Sequence, residues 1–135
     1  MKKLFLLLFS ILISFNSYGE WKFPENSEWT KLGYDDDASY YLVFNTIGGG
    51  DRYVYYWVLF DNETDTNGIK SSKINFQGDC KSFRVKALSF IFYKQPKGNG
   101  EGVISAPTST NRDWIYAPPE SAMGSILGTA CDYVN

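Results

Sequence analysis

Four stretches of this sequence, residues 40–47, 52–61, 72–80 and 82–94, are rich in Tyr, Phe, Val and Ile and are separated only by turn formers. The separators are Gly48-Gly49-Gly50, the polar segment 61–68 and the corner at 78–82, with Gly98-Asn99-Gly100 beyond the last stretch. A parallel crossover needs about a dozen residues or more. These short links therefore predict an antiparallel meander.

In the third stretch Ile74, Phe76 and Cys80 share one parity, and Lys73, Asn75, Gln77 and Asp79 share the other. That alternation belongs to a strand with one buried face. In the fourth, Phe83, Val85, Ala87, Ile91 and Tyr93 are expected on one face, while the other changes from Arg84 and Lys86 to Leu88, Phe90 and Phe92. After Pro118-Pro119 the period changes. Met123, Ile126, Leu127, Ala130 and Cys131 recur at helical spacing as one apolar stripe. Pro119 and Glu120 are expected in the first helical turn. Gly124 and Gly128 weaken the helix by roughly 1 kcal/mol each relative to Ala, so packing must hold it. The segment 61–68 reads as a polar loop between strands.

Met1-Lys2-Lys3, an apolar run over residues 4–15 and the small residues Ser17 and Gly19 have the order of a secretory leader cut before Glu20. The run is short for spanning a bilayer as a helix, which takes roughly 20 residues. The expected division is a leader at 1–19 and one domain at 20–135, with no transmembrane span in the mature protein and no cysteine near the cut to accept a lipid. Export places Cys80 and Cys131 in an oxidising compartment, where an even pair in a small domain is read as a disulfide. Such a bridge joins the apolar parity of the third strand to the apolar stripe of the helix.

The expected fold class is accordingly α+β: a single antiparallel β-sheet of five or six strands with a C-terminal helix packed on one face and tethered by a disulfide.

Several functions are disfavoured by composition. The chain has no histidine, which removes triads and dyads built on it, and two cysteines are too few for a cysteine zinc site. A net charge of -2 lacks the basic surplus that displaces counterions from nucleic acid. Glu63, Asp65, Asn67 and Gly68 imitate the start of an EF-hand, but the position that needs a bidentate Glu is Ile74. Neither a metal nor a cofactor is expected, nor a catalytic residue.

Charge is unevenly distributed along the chain. Residues 20–66 carry three basic and ten acidic groups, whereas residues 67–100 carry seven basic and one acidic. Lys73, Lys81, Arg84, Lys86, Lys94 and Lys97, interleaved with Phe and Tyr, are the expected partner-binding residues for acidic glycans or acidic protein segments. A charged sheet face that merely solvates the fold is the alternative reading.

Trp57-Val58-Leu59-Phe60-Asp61, Ser71-Ser72-Lys73, Asp79-Cys80-Lys81, the strand from Arg84 to Tyr93, then Trp114, Pro118-Pro119 and Ala130-Cys131 occur in an order that resembles the surface-adhesin protein E family. The resemblance runs from about Trp29 to Cys131. It implies a helix tethered through Cys80–Cys131 and a non-enzymatic role in binding host extracellular-matrix or serum proteins. The exported protein is expected in the periplasm, secreted or at the outer surface, and a homodimer is compatible with it. A periplasmic structural or stress-related domain with no host partner is the competing expectation.

Overall fold

The computed structural model describes residues 29–107 and 113–135, so the expected leader lies outside the described residues. Among them, eight strands form one antiparallel sheet: β1 (Trp29–Tyr34), β2 (Ala38–Val43), β3 (Gly48–Gly49), β4 (Tyr53–Thr66), β5 (Ile69–Asp79), β6 (Arg84–Tyr93), β7 (Gly102–Ser105) and β8 (Ile115–Tyr116). Helix α1 (Ala122–Val134) follows. The long path is β1-β2-β4-β5-β6-β7, with β3 paired to β4 and β8 to β6. Eight strands replace the expected five or six, because β3 and β8 have two residues each, too few to show a period of two.

The polar segment 61–68 is not a loop. β4 continues to Thr66 and β5 starts at Ile69, so the chain reverses over Asn67 and Gly68, both at positive φ (54° and 78°). Asn-Gly with two positive φ values is the pair that two-residue hairpins select, because its twist matches that of the strands. The side chains of residues 63–66, including Glu63 and Asp65, lie outside those described.

A bulge in β6 overturns the expected parity of the fourth stretch. Asn75 is opposite Ser89 and Phe76 is opposite Ala87, which leaves Leu88 as an extra residue. One inserted residue reverses every side chain beyond it. Val85 and Ala87 therefore share a face with Phe90 and Phe92, and Ile91 and Tyr93 move to the opposite one.

Two apolar clusters result, one on each face. The larger joins Leu42, Val54, Tyr56, Val58, Phe76 and Val85 of the sheet with Ile126, Leu127, Ala130 and Cys131 of α1. The smaller consists of Val43, Trp57, Ile91 and Tyr93, with Trp29 against it.

α1 begins later than the proline signal suggested. Ser121 caps it by accepting from the Gly124 N–H (3.0 Å), and Pro118 to Glu120 form a preceding turn closed by Ser121 N–H to Pro118 O (2.9 Å). Gly124 is required by that turn, since a Cβ there would collide with the Pro118 carbonyl. Gly78 on β5 has a similar role, because a Cβ on it would run into the Leu127 side chain. Cys80, just past β5, is bonded to Cys131 in α1 with Cα atoms 5.9 Å apart.

Candidate functional site

Lys73, on β5, lies among rings from both directions across the sheet: its ammonium is 5.4 Å from the Trp29 ring on β1 and 5.0 Å from the Tyr93 ring on β6. The segment from Gln95 to Gly98 folds back over the same end: Ser71 Oγ donates to Gln95 O (2.6 Å) and accepts from the Gly98 N–H (2.8 Å), and the Lys97 N–H donates to Asp61 Oδ1 (2.9 Å). Lys73 is only 8% exposed, and burial lowers its pKa. A cavity of about 250 Å³ beside it is lined by Ile91, Tyr93, Gly98, Gly102 and Ile104 among others.

At the other end of the same face the polar chemistry centres on Asp79. Its side chain is fully buried. The carboxylate accepts from the Lys81 N–H (3.0 Å) and Ser82 N–H (3.1 Å), from Arg52 Nε (3.4 Å) and Nη2 (3.3 Å), and from Arg84 Nε (3.2 Å). The strand ends here because an Asp followed by a turn can satisfy the next two free amides itself. Desolvation raises the Asp79 pKa, but the hydrogen bonds from Ser82, Arg52, Arg84 and Lys81 together outweigh it and hold the carboxyl at about 2. The same bond raises the pKa of Arg52.

Two guanidinium groups are thereby fixed at the surface, their side chains 48% and 35% exposed. Each keeps donors that Asp79 does not use. Aromatic rings lie against them. Arg52 stands over Tyr53 (5.3 Å to the ring centre), Arg84 over Trp114 (4.5 Å), and Lys86 over Trp114 (5.8 Å). The Tyr53 and Trp114 rings are 6.0 Å apart and inclined by only 30°. Tyr55, 42% exposed, accepts from Gln77 Nε2 (3.2 Å), and Tyr116 lies opposite Arg84 in register, extending the aromatic area. Exposed Asp51 and Asp113 adjoin Arg52 and Trp114 in sequence and moderate the positive charge.

The six expected partner-binding residues do not form one patch. Lys81, Arg84 and Lys86 gather at the Asp79 end, and Arg84 is engaged with Asp79. Lys94 and Lys97 are exposed at the far end of β6, whose ten residues span about 30 Å. Lys73 is buried among rings between them. Arg52, Tyr53, Asp79 and Trp114 were missing from the expected set. Arg52 and Asp79 are 27 residues apart, so spacing alone does not connect them. The pairing of β4 with β5, which places Tyr53 opposite Asp79, does.

The surface-adhesin protein E family model matches residues 29–132. This chain belongs to the surface-adhesin protein E family. A Haemophilus influenzae protein E structure, crystal form II, matches with a TM-score of 0.61 and 12% identity, covering 85% of this chain and 98% of that one. Protein E from non-typeable Haemophilus influenzae gives 0.57 and 13%, covering 84% and 82%. At such identity the likeness to those structures shows the fold alone. No curated protein matches the chain in sequence. Membership of the surface-adhesin protein E family makes this an adhesin-like protein of surface or exported type. Among the described residues, no helix is long and apolar enough to cross a membrane.

Proposed function

We propose that this protein is exported after loss of residues 1–19 and serves as a non-enzymatic binding module for host extracellular-matrix or serum proteins. The Asp79 end of the sheet face bearing the smaller cluster is its contact surface. α1, packed on the other face and tethered by the disulfide, is scaffold in this reading.

The observation that carries it is the saturation of Asp79. A buried carboxylate that uses two arginines and two backbone amides holds the arginines rigid, so little side-chain entropy is lost when they meet an acidic partner. Aromatic rings beside arginine are also the composition of binding hot spots. Lys81 and Lys86 add steering charge at the rim.

A periplasmic structural role with no host partner is supported by the internal use of Lys73 and Arg84, both predicted as binding groups yet committed to the fold. Immobilised matrix and serum proteins probed with the purified exported protein separate the two readings. Saturable, salt-weakened binding at micromolar concentration is expected from an adhesin, and absence of any bound protein from the panel favours the structural role.

A further inference from the structure

We infer that the Asp79 end of this face takes a sulfated, uronic-acid-bearing glycan chain rather than an acidic peptide, an assignment of ligand class that rests on the binding surface proposed above. Tyr53 and Trp114, 6.0 Å apart and tilted by 30°, offer two neighbouring rings. A platform of that kind suits the apolar C–H face of successive pyranose rings. Arg52, Arg84 and Lys86 each stand within 4.5–5.8 Å of one of those ring centres. Each cation lies over one of the two half-buried rings, so a sugar laid against their remaining exposed surface would bring its sulfate and carboxylate substituents beside cationic donors.

The chemistry of the donors suits the same ligand. Planar guanidinium groups pair with the oxygens of sulfate and carboxylate through two parallel N–H bonds, which a flexible ammonium cannot do. Arg84 uses Nε toward Asp79, and Arg52 uses Nε and Nη2, so Arg84 keeps both terminal nitrogens and Arg52 keeps Nη1. A peptide fits less well here. Peptides that add a strand need a free sheet edge, whereas Tyr53, Asp79 and Arg84 stand on strands that are paired on both sides at this end. A glycan needs no backbone partner.

The test is calorimetric titration of the purified exported protein, at low salt, with three probes: a size-defined sulfated heparin octasaccharide, its desulfated counterpart, and a Glu-rich peptide of equal charge. The sulfated sugar is expected to bind at least tenfold more tightly than either of the others. Trp114→Ala and Lys86→Glu are each expected to weaken it about tenfold, and Trp114→Phe to retain most of the affinity. Near-UV circular dichroism identifies any variant that fails to fold; Lys86→Glu, at a half-buried position on the strand surface, then decides alone. Equal or tighter binding of the peptide, lost in Lys86→Glu, overturns the glycan assignment while the proposed binding face stands. Sugar affinity unchanged by Trp114→Ala and Lys86→Glu also overturns it. If no probe binds and the matrix and serum panel is silent too, both proposals fall.

Discussion

Asp79 accepts five hydrogen bonds, from two backbone amides and two arginines. Its folded-state pKa of about 2 lies below the ordinary 3.8, so the carboxylate is bound more tightly in the folded than in the unfolded chain. That stabilisation is fully present above about pH 4 and is lost as pH falls through the folded value near 2. Asp79→Asn keeps the shape but removes the charge. It is expected to cost about 1–3 kcal/mol at neutral pH and to flatten the loss of stability between pH 4 and 2, measured by urea unfolding at stepped pH. An unchanged acid limb would show that other carboxylates govern it. The helix glycines give a second contrast. A Cβ at Gly128 would meet only Phe83 Cζ at 3.8 Å, whereas one at Gly124 would strike the Pro118 carbonyl. Gly128→Ala is thus expected to raise stability by about 0.5–1 kcal/mol and Gly124→Ala to lower it, by the same unfolding measurement.

At the scale of elements the decisive link is the one between β5 and α1. The alternation of Ile74 and Phe76 and the helical stripe through Ile126, Leu127 and Cys131 were legible because each element is long enough to display its period. Leu88 was not. A bulge is one extra residue with no fixed composition, and its effect on Ile91 and Tyr93 appears only once β5 and β6 are paired. The start of α1 was misplaced for a related reason: Pro119 and Glu120 suit a first helical turn, yet Ser121 caps the chain one turn later. Closing 51 residues of chain, the Cys80–Cys131 bond is worth about 4 kcal/mol on the chain-entropy model. The Cys80→Ser/Cys131→Ser variant is expected to unfold at clearly lower denaturant while keeping its sheet. Hydrogen exchange should show α1 amides losing protection before those of β4 and β5. Equal loss in all three would mean that the helix does not depend on the bridge.

For the whole molecule, the antiparallel sheet, terminal helix and disulfide could be read from pattern, but the proposed binding surface could be read only in part. Arg84 and Lys86 belong to the basic stretch and to the surface. Lys94 and Lys97 belong to the stretch alone, because β6 carries them to the other end of the sheet. Arg52, Tyr53 and Trp114 come from three separate segments that meet only in the fold. The fold therefore separates two groups that in sequence form one run of positive charge. The measurement that tests the proposed surface most directly compares affinity for a bound matrix or serum protein in two variants, Lys81→Glu/Lys86→Glu/Trp114→Ala and Lys94→Glu/Lys97→Glu. The first is expected to lose at least tenfold and the second to change by less than about twofold. Equal losses, or a loss confined to the second variant, would contradict a binding surface at the Asp79 end.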